Sequence, residues 1–132
     1  MRIYTMIAVG GFFGATLRFS IKTLEISQLS VNFPLSTLLI NILGCLILGF
    51  FVAIVEDKLK LGEAEKLGVV SGFLGALTTF SSISKEISLQ LALGDILTAG
   101  LYLGLSIILG LGAIFAGLSI GSKFVLYKPK TD

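Results

Sequence analysis

The sequence contains no histidine and no tryptophan, and it has one cysteine and two prolines. Without histidine, no Ser–His or Cys–His nucleophilic pair can form, so we expect that the protein is not an enzyme. The single cysteine, Cys45, cannot form an intrachain disulfide and does not make a metal site alone. We interpret it as a buried structural thiol. The net charge of +2 is small and dispersed, which argues against nucleic acid as a partner.

Charged residues are also scarce, and long apolar runs take their place. Of the 132 residues, 55% are hydrophobic and 14% are charged, with a mean hydropathy of +1.00. Soluble domains are typically about 45–50% apolar and about 25% charged. The apolar runs reach the length of about 18 residues that marks a transmembrane candidate. The first run continues past the small residues at which a signal peptide would end, so we interpret it as a retained span.

These runs predict an all-α integral membrane protein that forms a single domain over residues 1–132 and has the lipid bilayer as its surroundings. A charged hairpin over residues 56–66 separates the middle two spans, and the tail over 127–132 is polar and predicted to be loose. Small residues at four-residue spacing, such as Gly10 and Gly14 or Gly100 and Gly104, would let helices approach closely in lipid. The predicted spans occupy about residues 3–21, 35–55, 67–93 and 96–124.

Lysine and arginine are distributed unequally between the two faces that these spans define. The face with both termini and the middle hairpin carries seven of the ten, and the opposite face carries Arg18, Lys22 and Lys85. Because basic residues are retained on the cytoplasmic side, this bias predicts cytoplasmic termini in a plasma membrane. A mixed orientation stays open. The seven residues are Arg2, Lys58, Lys60, Lys66, Lys123, Lys128 and Lys130.

The third span contains a polar cluster that predicts a break near residues 75–82. Four of the five residues from Thr78 to Ser82 carry hydroxyl groups. A break would free carbonyls that suit a cation and N–H groups that suit an anion. It would be tolerated only where it is buried in protein or lines a water-filled cavity. The alternative is a packing helix softened by serine and threonine, and we favour the break.

Other side chains at membrane depth have two interpretations each. Asn41 either makes an interhelical hydrogen bond or offers donors to an ion path. Phe80 either packs or turns the positive edge of its ring to an anion. Tyr102 and Ser106 share a stripe of the last span, where packing and interfacial anchoring are the alternatives to a polar path. Arg18 either snorkels to the interface or holds a positive potential at a vestibule.

Three polar motifs occur in order in three successive spans: GGFFGATLR over residues 10–18, STLLINILG over 36–44 and GFLGALTTFS over 72–81. With these motifs, the length and the four-span layout, the sequence resembles the Fluc or CrcB family of small dual-topology fluoride channels. The resemblance implies an antiparallel dimer with two separate pores. It also implies passive fluoride export from the cytoplasm across the inner membrane, which gives fluoride resistance.

The same resemblance implies roles for individual residues. Asn41 and Ser81 would offer hydrogen bonds to fluoride, Phe80 would present its ring edge, and Arg18 would lie near a vestibule. Backbone carbonyls of Gly75 and Thr78 from both subunits would hold a central structural sodium ion. The residues implied along the fluoride path are Asn41, Thr79, Phe80, Ser81, Tyr102 and Ser106.

Three positions depart from the pattern of this family. Ile83 stands where the family usually has a second pore phenylalanine, and the polar stripe of the last span ends before Gly110 and Ile114. Some relatives work as paired, non-identical subunits, each keeping part of the pore. A homodimer, a pair with a homologue, and a non-conducting subunit of a heteromeric channel therefore all stay open.

The main alternative is a small multidrug-type exporter, which also has four spans. Such a protein needs a carboxylate embedded in the membrane. Glu86 is the only candidate near a span, and it lies in the wrong segment for that class. Glu86 either pairs locally with Lys85 or sits at the mouth of a water-filled pore. A second alternative is a structural subunit whose glycines serve packing alone.

Overall fold

The structure is a computed structural model that describes residues 1–23, 33–55 and 59–126. Among these residues, four helices are long and apolar enough to cross a membrane, and the third combines several segments into Glu63–Ala92. The predicted all-α fold with four spans and a broken third helix is confirmed. The elements are α1 (Arg2–Thr23), α2 (Leu35–Ile54), α3 (Glu63–Leu67), a π-helical segment (Gly68–Leu74), α4 (Gly75–Leu77), α5 (Phe80–Ala92) and α6 (Ile96–Leu126).

The third span begins at Glu63, four residues before the predicted start. Part of the predicted charged hairpin is therefore helical, because Glu63 and Glu65 in the first turn interact favourably with the helix dipole. Arg2 at the start of α1 forms an ion pair with Glu65, which joins the two helices at this end. Residues 56–58 of the hairpin and the predicted tail over 127–132 lie outside the described residues.

Glycines bring α1 and the third span into backbone contact. A Cβ atom added to Gly10 would overlap the carbonyl of Gly68, and one added to Gly14 would overlap the carbonyl of Phe73. On the π-helical side, a Cβ on Gly72 would lie 2.6 Å from the carbonyl oxygen of Ile7. Close approach through small residues is a common way of packing helices in lipid. These contacts hold the third span against α1 just before its break.

A second helix pair, α2 with α6, also packs through glycines. Gly49 approaches the backbone of Ile114, and Gly117 approaches the backbone of Leu46. By contrast, a Cβ on Gly100 or Gly104 would meet nothing within 4 Å among the described residues. The helix contact predicted for these two glycines is therefore not made within the described part of the chain. The buried side chains of Ile40, Leu74 and Leu77 form the core between α2 and the third span.

A tight turn joins α5 to α6. Gly94 adopts a φ of 78°, which glycine tolerates without steric cost. Asp95 then accepts a hydrogen bond from the backbone N–H of Thr98 at 3.1 Å. Hydrogen bonds from the side chain and the backbone of Thr98 hold the pKa of Asp95 below its usual value. The turn sends α6 back along α5, so that Tyr102 lies beside Glu86.

Candidate functional site

The third span is interrupted at two residues. Thr78 (φ −75°, ψ 153°) and Thr79 (φ −150°, ψ 116°) leave the helical conformation between the end of α4 and the start of α5. The N–H of Thr79 points to Asn41 and not back along its own chain. The Gly75 carbonyl therefore does not receive the bond from Thr79 that a continuous helix would provide.

Asn41 of α2 contacts both backbone groups of Thr79. The N–H of Thr79 donates to Oδ1 of Asn41 at 2.8 Å, and Nδ2 of Asn41 donates to the Thr79 carbonyl at 3.2 Å. Because a backbone N–H requires an acceptor, the orientation of the amide follows from this pairing. The interhelical hydrogen bond considered for Asn41 is therefore present, and its partner is the backbone at the break.

The Thr79 side chain caps α5. Its Oγ1 accepts from the N–H of Ser82 at 3.2 Å and contacts the hydroxyl of Ser81 at 3.1 Å. Thr79 is buried, whereas Ser81 is exposed. The Thr79 hydroxyl is thus engaged within the chain, while that of Ser81 lies at the surface.

An open groove of about 250 Å³ lies over the break. The Phe80 side chain is 77% exposed at this groove. The Ser106 hydroxyl reaches it from α6 and donates to its own helix, to the carbonyl of Tyr102 at 2.7 Å. Cys45 is half-buried and lines the groove, so its interpretation as a buried thiol is wrong. The lining residues are Asn41, Cys45, Thr78, Thr79, Phe80, Ile83 and Ser106.

A second polar cluster surrounds Glu86. Its Oε1 accepts from Thr37 at 2.7 Å and from Lys22 at 3.2 Å, and its Oε2 accepts from the hydroxyl of Tyr102 at 2.7 Å. Thr37 and Tyr102 have no exposed surface. The four residues come from four different spans, so this Glu86 cluster ties all of them together.

The Glu86 cluster differs from what the sequence suggested. The ion-pair partner of Glu86 is Lys22 on α1 and not the adjacent Lys85. Tyr102 was predicted along an ion path, and it donates here to a carboxylate. Thr37 is a member of the cluster that the sequence does not single out, although a threonine inside an apolar run is a signal for such a role.

Besides Tyr102, three predicted residues lie outside the groove lining: Ser81, Arg18 and Gly75. Arg18 is half-buried on α1, one turn before Lys22. Gly75 is exposed at the start of α4, three residues before Thr78. Gly75 and Thr78 thus lie at the carbonyl end of the first half of the broken helix, where a partial negative charge is expected.

Four apolar spans, with a polar break beside an open groove, define a small α-helical membrane protein of the kind whose broken helices line ion paths. The family model described as CrcB-like protein, Camphor Resistance (CrcB), matches residues 5–118. This match covers most of the sequence, and the chain belongs to the CrcB-like family.

Full-length relatives agree with that assignment. The protein named fluoride-specific ion channel FluC from Acidobacterium capsulatum is 34% identical to this chain over 122 residues, which are 92% of this chain and 98% of the relative. The protein of the same name from Stutzerimonas stutzeri is 38% identical over 120 residues, which are 91% of this chain and 97% of the relative. A relative of the same name in Roseiflexus is 36% identical over 114 residues, or 86% of this chain and 92% of the relative. The predicted family resemblance is confirmed.

Proposed function

We propose that this chain forms a fluoride-selective ion channel that lets fluoride leave the cytoplasm passively and thereby gives fluoride resistance. The observation that carries the proposal is the broken third span beside an open groove, because the groove brings Asn41 and Phe80 together between helices that are apolar enough to cross a membrane. The choice of ion follows from the relatives, which are named fluoride-specific channels and match nearly the whole chain.

The chemistry of the groove suits a small, strongly hydrated anion. Fluoride holds its water tightly, so a selective path must replace that water with donors. Asn41 has a second amide hydrogen beyond the one given to Thr79, Ser81 has an exposed hydroxyl, and Phe80 exposes its ring. The positive edge of an aromatic ring attracts an anion and repels a cation.

The hydroxyls along the path already have partners within the chain, including that of Ser81, which contacts Thr79. Thr79 bonds within the break, Ser106 donates to a carbonyl, and Tyr102 donates to Glu86. Each hydroxyl would have to rotate toward a passing ion. The path that we propose therefore joins the groove to the Glu86 cluster along α6, where Ser106 and Tyr102 are one helical turn apart.

A second subunit in the opposite orientation would complete the groove. Ser81 and Gly75 are exposed in the single chain, and the Ser81 hydroxyl and the Gly75 carbonyl, which lacks its helical bond from Thr79, would be costly against lipid. Ile83 lines the groove where the family usually has a phenylalanine, which keeps both a homodimer and a pair with a homologue open. The location that we propose is the inner, or plasma, membrane.

The carbonyl end of α4 fits a structural sodium ion at the centre of that dimer. Unwound carbonyls at the end of a half-helix are known ligands of sodium in membrane proteins. Gly75 and Thr78 of both subunits would hold the ion, which would supply positive charge between the two breaks. Arg18 would add positive charge at a vestibule.

The exporter alternative has less support. It needs an available membrane carboxylate, whereas Glu86 already accepts bonds from Lys22, Thr37 and Tyr102. A purely structural subunit would leave the groove unexplained.

The direct test is fluoride efflux from liposomes that contain the purified protein, followed with a fluoride electrode. We expect rapid fluoride efflux and little chloride efflux, compared with protein-free liposomes. Proton-coupled cation transport would support the exporter. Absence of flux, also after co-purification of any partner subunit, would support the structural subunit.

A further inference from the structure

We propose that Asn41 is a positioning residue whose amide replaces the backbone pairing that the third span loses at Thr79. The inference rests on the proposed function and deepens it, because it assigns the amide a task other than contact with the ion.

The break creates a need for such a residue. A backbone N–H or carbonyl without a partner is costly in lipid, and Thr79 is buried from water at 7% exposure. A side-chain amide carries a donor and an acceptor side by side, like a peptide group. Asn41 uses both on the same residue, at 2.8 Å and 3.2 Å. We call this pair of bonds the Asn41 clamp.

A second feature of α2 matches the break independently. Gly44 lies three residues after Asn41, which puts both residues on one face of α2. A Cβ on Gly44 would overlap the Cγ2 methyl of Thr78. One residue of α2 therefore bonds the extended segment, and another leaves room for it.

The Asn41 clamp has consequences for the residues that follow the break. It fixes the backbone of Thr79, and the Thr79 hydroxyl in turn caps α5 through Ser82 and contacts Ser81. The next residue after the clamped one is Phe80. The direction in which Phe80 and Ser81 project is therefore set by a residue on another helix.

A backbone change separates this role from contact with the ion. Replacing Thr79 with its α-hydroxy acid, through nonsense suppression in the full chain, removes one N–H and leaves both side chains intact. If Asn41 positions the break, fluoride efflux should fall by about tenfold. Asn41→Ala should also reduce it, and the two changes together should do little more than the larger one alone. The same ester at Ser88, an exposed residue of α5, is the matched control and should leave efflux near the wild-type rate.

Hydrogen exchange gives a readout that does not depend on transport. In Asn41→Ala, or in Asn41→Leu, which fills similar space but makes neither bond, amides 79–82 should exchange about tenfold faster while those of α6 keep their protection. Wild-type efflux in the Thr79 ester, or unchanged exchange at amides 79–82, would overturn the proposal. If the wild-type protein passes no fluoride, the proposed function fails, and the exchange result still decides whether the Asn41 clamp exists.

Discussion

The groove over the helix break and the Glu86 cluster hold polar groups between the span-forming helices in opposite ways. In the Glu86 cluster, three donors from other spans meet one carboxylate, and two of the donor residues have no exposed surface. At the groove, the backbone is paired through Asn41, yet Phe80 and Ser81 remain exposed. A closed network ties helices together, whereas a partly open one leaves donors for something outside the chain. The comparison therefore favours the break over the Glu86 cluster as the location of the proposed ion contacts.

The largest effect that we expect follows from Asn41→Asp. A carboxylate can accept the N–H of Thr79 but cannot donate to its carbonyl, and it adds a negative charge beside the path of an anion. Fluoride efflux should fall on the order of 100-fold, which corresponds to about 2.7 kcal/mol in the barrier. Initial efflux rates from liposomes with equal amounts of folded protein measure this. Unchanged efflux would remove Asn41 from the path.

Phe80→Ile should have the next largest effect. Isoleucine fills similar space but lacks a ring edge, so an anion loses an electrostatic contact. We expect efflux to fall about tenfold. Phe12→Ile on the exposed face of α1 is a matched control, since Phe12 is 67% exposed and does not line the groove. Equal rates for wild type and Phe80→Ile would mean that the ring edge is not used.

Tyr102→Phe tests whether the Glu86 cluster belongs to the path. The change removes the hydroxyl that donates a hydrogen bond to Glu86 at 2.7 Å, and it should lower the free energy of unfolding by about 1–2 kcal/mol. We expect efflux to fall only a few-fold, less than for Phe80→Ile. Thermal unfolding and efflux, measured on the same preparation, separate the two effects. A loss of stability with wild-type efflux would make the cluster purely structural.

Thr78→Ser should have the smallest effect. Serine keeps the hydroxyl that donates to the Leu74 carbonyl at 2.9 Å, and the backbone carbonyl proposed to bind sodium is unchanged. Efflux and its dependence on sodium should match the wild type. Gly44→Ala is the contrasting variant, because its added methyl would overlap the Cγ2 methyl of Thr78 and displace the break. We expect it to reduce efflux more than Thr78→Ser does. Loss of sodium dependence in Thr78→Ser would count against binding through the carbonyl alone.

Local sequence patterns predicted the spans and the break. Apolar runs longer than about 18 residues form membrane-spanning helices in most proteins, because a helix satisfies all its backbone hydrogen bonds internally. Four hydroxyls near Gly72 and Gly75 marked the weak point of the third span. Periodicity did not predict the helical turns at Glu63–Lys66 or the π-helical segment Gly68–Leu74, because acidic residues in the first turn and packing on α1 decide them.

Contacts between distant residues could not be predicted in this way. Lys22 and Glu86 are 64 residues apart, and Asn41 and Thr79 are 38 apart. Neither pairing has a local signature, since each depends on how whole helices pack. Cys45 shows the same limit, because an apolar neighbourhood in sequence did not reveal that it borders a groove.

Cys45 also offers the most direct test of whether fluoride passes the groove. It is the single cysteine of the chain, so a thiol reagent such as benzyl methanethiosulfonate modifies one defined position. With complete labelling verified by mass spectrometry, we expect fluoride efflux to stop, while Cys45→Ser, treated identically, should keep its rate. Full efflux through the labelled protein would contradict a path along this groove.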